Sequence, residues 1–396
     1  MSALEGIRVL DLGQLVQGPQ AAQMLADLGA DVIKIELPGV GDLSRYLPSA
    51  PGDRRSGFFH GCNRGKRSVA VDLRTDGGRQ VFWRLLESAD VVIANFKAGT
   101  LEEWGLGYDE AAKRNPRIVY GLGSLFGPKG PAATREGADL AAQAAGGLIS
   151  TTNTEGVEPT PVGATVADHM ASQNLVAGVL AALVARERTG VGQRVDVSLL
   201  GGQIWAQASE YSAYFISGRV PSRADGGHPF VRSGYGIFPT ADGHIAMVGI
   251  PAKRRAEFFA LVGMPELADD ERFLAPQMTD EVHLALRQSL AKVLVRRTTA
   301  QWCELFEAGN WRFAPVNDYQ AAAADPHLVE NGYVFETDHP DWGRIRTVGS
   351  PIAMSATPPV PGAVSPELGA HTDEVLIAAG LSAQDIAALR ESGAIG

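Results

Sequence analysis

Apolar residues in the first third of the chain fall into short runs separated by stretches of helical period. Residues 6–12 (GIRVLDL) form a run that predicts a buried strand. Residues 20–29 (QAAQMLADLG) space their apolar positions as a helix does, and Gly29 is placed to end it as a C-cap. Residues 31–36 (DVIKIE) predict the next strand. The same strand–helix–strand order recurs in SVAVDL (68–73), GGRQVFWRLLESA and DVVIANF (90–96), and IVYGLGS (118–124) adds a further strand. Strands separated by helices predict a mostly parallel sheet and an α/β fold. Residues 168–187 form a long Ala- and Leu-rich helical stretch that stops at 189–192, and RVDVSLL (194–200) follows as a strand.

Beyond residue 200 the pattern changes. Residues 201–225 begin as a helix and turn polar near 218–227. Residues 234–250 (GYGIFPTADGHIAMVGI) read as a hairpin turning at Ala241-Asp242-Gly243. Helical stretches follow near 253–262 and 279–293, then a Pro-rich extended connection near 351–366 and a helix at 372–381. A chain of 396 residues exceeds what one hydrophobic core usually serves. The expected division is a large domain over 1–200, a linker over 201–225, a small α/β domain over 226–325, and a return to the large domain over 326–396.

A net charge of -10 argues against nucleic acid or a membrane surface as the main partner. No apolar run is long enough to span a bilayer, and MSALEGIRVLDL lacks the basic and apolar regions of a signal peptide. Cys62 and Cys303 show neither pairing nor metal spacing, so a cytoplasmic location is expected. The charge leaves room for a phosphorylated small molecule, which needs only a local basic patch. Residues 63–67 (NRGKR), with Arg54, Arg55, Arg74 and Arg79 nearby in sequence, form one candidate; a solvated charged loop fits the spacing equally well.

Glu36 ends the second strand, as an acid often does in dinucleotide-binding folds. The first turn, however, is GQLVQGPQAA rather than G-x-G-x-x-G, and Pro19 stands where free backbone N–H groups are needed. No histidine pair has metal-ligand spacing, and no G-x-S-x-G occurs, so metal and serine-hydrolase chemistry are not expected. Asp168 opens the long Ala/Leu helix. The commonest task of such an Asp is to cap the helix; a helix N-terminus would also favour its anion and keep a nucleophile ionised.

Several segments together resemble the class III CoA-transferase family, of formyl-CoA transferase and carnitine CoA-transferase type. They are 18–45, NRGKRSVAVDL (63–73), ADVVIANFKAGTLEEWGLGY (89–108), 115–131, GADLAAQAAGGLI (137–149), PVGATVADHMASQNLVAGVLAAL (161–183), YGIFPTADGHI (235–245) and LGAHTDEVL (368–376). The resemblance covers nearly the whole chain. It implies a Rossmann-like large domain, a smaller α/β domain and an interlocked homodimer. It implies CoA transfer from an acyl-CoA to a free carboxylic acid, with Asp168 forming an anhydride and then an aspartyl-CoA thioester, and no permanently bound cofactor. By position it assigns CoA contacts to Val16, Val71, Asp72, Leu73, Arg74, Asn95, Phe96 and Lys97, and a supporting acidic role to Asp139. Backbone N–H groups at the helix start, and Gly226, Gly227 and Gly234, are candidate oxyanion donors; for the glycines plain turn geometry is the competing account.

The chain departs from formyl-CoA transferases at Val16, where they carry glutamine, and at Glu103 and Glu136, where they carry basic residues. Alpha-methylacyl-CoA racemases share the fold and the aspartate but need a histidine in a G-H-D triplet. The matching triplet here is Gly137-Ala138-Asp139, and alanine carries no proton. His169 follows Asp168 directly and points about 100° away on a helix, so it is a poor substitute. A non-catalytic CoA-binding protein is the remaining alternative.

Overall fold

The computed structural model describes residues 2–232, 234–276, 278–362 and 364–396. The chain divides into two compact units: 1–146, 163–206 and 326–396 form the first, and 147–162 with 207–325 form the second.

The first unit is built on six parallel strands: β1 (Arg8–Asp11), β2 (Asp31–Glu36), β3 (Arg67–Ala70), β4 (Val91–Ala94), β5 (Val119–Ser124) and β6 (Arg194–Ser198). Their order is β3-β2-β1-β4-β5-β6. The order reverses between β1 and β4, the place where open α/β sheets receive ligands at the carboxyl ends of their strands.

Alternation along each strand sends side chains into two separate layers. Val9, Val32, Val91, Ile93 and Val119 face helix α1 (Gln17–Asp27) and Leu175, Val176, Val179 and Leu183 of a long helix over Val166–Thr189. Leu10, Ile33, Ile35, Val69, Val92 and Tyr120 face the opposite way, onto Phe82, Leu85 and Leu86 of Asp76–Leu86 and onto Val375, Leu376 and Ile386 near the C-terminus. Close approach of the long helix to β6 depends on Gly178, where a Cβ would lie 2.6 Å from Val195 Cγ1. Numbered in chain order, the helices used below are α1, α2 (Gly57–Asn63), α3 (Asp76–Leu86), α4 (Asp139–Ala145) and α5 (Val166–Thr189).

The second unit carries a three-stranded antiparallel sheet, Tyr235–Pro239, His244–Val248 and Phe313–Pro315. The first two strands are the expected hairpin. Trp302, Phe258, Phe259, Phe306, Leu286 and Leu290 fill its core. Within this unit Gly227 donates its N–H to Ala224 O, and the Gly226 carbonyl accepts from Ile237 N. The Gly227 amide, expected as a free oxyanion donor, is therefore spent on its own turn.

Among the described residues no helix is long and apolar enough to cross a membrane.

Candidate active site

Asp168 is the third residue of α5 rather than its cap; Thr165 occupies the N-cap position and makes no side-chain capping bond. The cap comes from a distant part of the chain. Asp139, the first residue of α4, is buried, and its Oδ1 accepts from Ala167 N at 2.7 Å and from Asp168 N at 3.3 Å. Its Oδ2 accepts from Gln143 Nε2 at 2.5 Å, one helical turn on, and Gln143 also donates to Ala164 O. The remaining first-turn amide, Val166 N, bonds Ala164 O. The first amides of α5 are thus occupied, and the expected oxyanion donors at this helix start are not free.

This arrangement reverses the expected electrostatics of Asp168. A helix N-terminus favours an anion, but Asp139 already places one there. Asp168 is half-buried, and among the described residues none donates a hydrogen bond to its carboxylate. Burial, reinforced by the Asp139 charge, pushes its pKa from 3.8 up to about 7. At neutral pH the group is divided between acid and carboxylate instead of being held fully ionised.

His169 turns away from Asp168. Its Nδ1 lies 2.6 Å from Gln20 Oε1 and its Nε2 lies 3.2 Å from Thr165 Oγ1, so both ring nitrogens have partners. Burial holds its pKa below the usual value, against the raising effect of Asp139. On the next turn, the Ser172 hydroxyl sits 2.8 Å from Asp168 O and 2.7 Å from Gln17 O, joining the Asp168 turn to the start of α1.

At the carboxyl ends of β1, β2, β3 and β4 lies a cleft of about 360 Å³. Val71, Asp72, Leu73, Arg74 and Phe96 line it, together with Gln14, Leu43 and Trp104. Val71 and Leu73 are buried, which leaves mainly their backbone to offer. Phe96 meets Trp104 edge to face at 5.2 Å between centroids. The Arg74 guanidinium is exposed but lies against Asp72, with two contacts of 2.8 Å. Lys97 lies on an adjoining cleft with Ser124 and Arg194, 3.5 Å from Glu136. Asn95 faces the chain itself: its Oδ1 accepts from Gln14 N and its Nδ2 donates to Gln14 O. Val16 is buried at the N-cap of α1. The cleft thus gathers five of the eight expected CoA contacts, Lys97 flanks it, and Asn95 and Val16 shape the loop beside it.

The basic run 63–67 is not a phosphate patch. Arg64 is buried in a two-pronged pair with Asp27, at 2.7 and 2.8 Å. Lys66 is buried against Asp11, and Arg67 pairs with Asp31. These cations serve the fold. Sequence reading also missed Gln143, Gln20 and Ser172. Gln143 had a signal, four residues after Asp139 on one helix face; Gln20 and Ser172 meet the site only through the packing of α1 on α5.

Residues 4–372 match the family model described as CoA-transferase family III. The chain belongs to CoA-transferase family III. Family III relatives include a succinate–glutarate CoA-transferase of Agrobacterium fabrum, 36% identical over 380 residues that cover 94% of each chain. A succinyl-CoA:mesaconate CoA-transferase of Haloarcula marismortui is 38% identical, covering 96% of this chain and 97% of its own. A crystal structure of a CaiB/BaiF family protein from Brucella suis superposes with a TM-score of 0.84 at 32% identity, over 96% of this chain and 99% of that one. The protein is accordingly a class III CoA-transferase, an enzyme class that acts on CoA thioesters and carboxylates.

Proposed function

We propose that this enzyme moves CoA from an acyl-CoA donor to a free carboxylic acid through covalent intermediates on Asp168, and that donor and acceptor are short dicarboxylic acids. The observation that carries the chemistry is the half-buried Asp168 carboxyl, which pairs with no cation among the described residues and whose pKa burial and the Asp139 charge push up to about 7. The choice of acids rests on the relatives, whose names specify succinate, glutarate and mesaconate.

Ordinary carboxylate attack on a thioester is uphill, because a weak base (pKa about 3.9) must expel a thiolate whose acid has a pKa of about 8.5. Raising Asp168 to about 7 removes most of that mismatch. An Asp168 oxygen attacks the donor carbonyl, the C–S bond breaks, and a mixed anhydride and CoA thiolate result. The thiolate then attacks the Asp168 carbonyl, releasing the donor acid and leaving an aspartyl-CoA thioester. The acceptor carboxylate attacks this thioester to give a second anhydride and thiolate. Thiolate attack on the acceptor carbonyl yields the new acyl-CoA and returns Asp168 as a carboxylate. Asp139 acts through the backbone of Ala167 and Asp168, fixing the turn and keeping the Asp168 proton affinity high.

The cleft beside β1 and β4 is the place for CoA. Arg74 and Lys97, each held by an acid in the free protein, are the cations that would turn to its phosphates. Two copies associating as the interlocked homodimer belong to the same reading. The test is mass spectrometry of CoA esters after incubating the protein in D2O with succinyl-CoA, a chiral 2-methylacyl-CoA and a panel of free acids. New acyl-CoA matching an added acid supports transfer. A deuteron gained on an otherwise unchanged 2-methylacyl-CoA would mean proton abstraction and overturn it in favour of racemisation. Asp168→Ala is expected to abolish turnover; residual transfer within about tenfold of the native rate would remove Asp168 from its role.

A further inference from the structure

The first turn of α5 is not capped by its own N-cap residue. Thr165 holds that position, and a threonine there ordinarily accepts from the second or third amide of the helix. Those amides belong to Ala167 and Asp168. Neither bonds the Thr165 side chain; Oδ1 of Asp139 takes both, at 2.7 and 3.3 Å. A charged cap from α4 stands where the local sequence supplies a neutral one.

The Thr165 hydroxyl is engaged elsewhere. Its Oγ1 lies 3.2 Å from Nε2 of His169, one turn along α5. The other ring nitrogen, Nδ1, lies 2.6 Å from Gln20 Oε1 of α1. An amide oxygen only accepts, so Nδ1 carries the ring proton. In the neutral imidazole Nε2 then accepts, and the Thr165 hydroxyl donates to it. Burial favours that neutral ring, against the raising effect of Asp139. The protons therefore run one way, from Thr165 to His169 and from His169 to Gln20. Positions 165, 169 and 172 fall on one face of α5, the face that meets α1, where the Gln17 carbonyl also receives the Ser172 hydroxyl.

Other charges near this turn leave Asp139 in control. Behind burial, Asp139 of α4 is the charge that acts on both Asp168 and His169. Cys62 of α2 is pushed up to about 11, by burial first, and stays an uncharged thiol although it feels the Asp168 charge. From α1 comes the uncharged Gln20, and the helix Leu199–Ala206, which packs on Ala171 at Gly202, has no titratable side chain. We propose that His169 is a positioning residue for the transfer: by holding the Thr165 hydroxyl it reserves the first amides of α5 for Asp139, and so keeps that carboxylate against Asp168. The inference rests on the proposed covalent route. Without the ring's Nε2, the hydroxyl is free to turn back onto the Asp168 amide, the longer of the two bonds that Asp139 makes to α5. A carboxylate that loses an amide is held less firmly as the anion, and the charge opposing ionisation of Asp168 weakens.

The experiment is the pH–rate profile of the full-length protein with succinyl-CoA and glutarate. In His169→Asn the Nδ2 group stands in for ring Nδ1 toward Gln20, while the shorter side chain leaves Thr165 without the ring's Nε2. Its midpoint is expected to move down by about 0.5–1 pH unit. Adding Thr165→Val, which has no hydroxyl to compete for the amides, is expected to return the midpoint to the native one. His169→Gln, whose Oε1 reaches the place of Nε2, is expected to match the native midpoint without a second change. If His169→Asn does not fold, His169→Phe with and without Thr165→Val makes the same comparison. A midpoint within about 0.2 pH unit of native in His169→Asn would overturn the inference. So would an equal downward shift with and without Thr165→Val, because the effect would then not pass through the hydroxyl. Asp168→Ala, run alongside, separates the two failures. If it is silent while the His169 midpoints stay native, only the role of His169 falls; if it still transfers, the covalent route falls. In that second case urea unfolding at about pH 5 and about pH 8, compared with Asp168→Asn in each background, reads the Asp168 titration without turnover and decides the role of His169 by the same pattern of shift and return.

Discussion

Replacing Asp168 by asparagine is expected to abolish transfer and also to remove a pH-dependent loss of stability, and the second effect reads the electrostatics of the site directly. The Asp168 pKa stands at about 7 in the folded protein against an ordinary 3.8, through burial first and the Asp139 charge second. A carboxyl raised in the folded state keeps a proton that the unfolded chain gives up. Its stabilising contribution is therefore complete below about pH 4 and is lost progressively as pH rises to about 7. The whole interval corresponds to about 4 kcal/mol, and the part between pH 5 and pH 8 to about 3 kcal/mol. Residual solvent access to a half-buried group reduces the expected figure to about 2 kcal/mol. Asparagine has no proton to lose, so its stability does not carry this slope. Urea unfolding of both proteins at about pH 5 and about pH 8, at fixed ionic strength and protein concentration, isolates the effect, because every other titrating group cancels in the difference. The variant gains on the native protein by about 2 kcal/mol on going to the higher pH. A difference unchanged within about 0.5 kcal/mol between the two pH values would refute the reasoning and mean that Asp168 is an ordinary solvated carboxylate.

Further outcomes follow from neighbouring groups. Transfer is expected to fall as pH drops through about 7, because the attacking species is the carboxylate; a pH–rate profile on the native enzyme checks this. Asp139→Asn takes away the charge that raises Asp168, so the midpoint of that profile moves to lower pH, while the amide oxygen can still cap α5 and limits the fall in Tm. Arg64→Ala leaves Asp27 buried without its two-pronged partner and is expected to cost about 3–5 kcal/mol in denaturant unfolding, with no specific effect on KM in whatever fraction remains folded. Arg74→Ala is expected to raise KM for acyl-CoA several-fold with little change in kcat, as loss of a phosphate contact remote from the reacting atoms would do.

Strands, helices and their parallel order were legible in the sequence because they rest on local rules. Period-2 and period-3.6 spacing, Gly190 at a left-handed C-cap and the Ala241-Asp242-Gly243 turn are properties of neighbouring residues. The segment holding Asp168 was legible through its resemblance to a family, and Asp139 was singled out the same way, without the amides it would accept from. What the charges do was not legible, because their partners lie far away in the chain. Arg64 and Lys66 read equally well as a phosphate patch or a solvated loop until the fold set Asp27 and Asp11 against them, 37 and 55 residues distant. Asp168 read as an ionised group at a helix start until Asp139, 29 residues before it, took the helix amides and placed a second negative charge there. Proton affinity depends on burial and on the nearest charges in space, and a sequence contains neither until the chain folds.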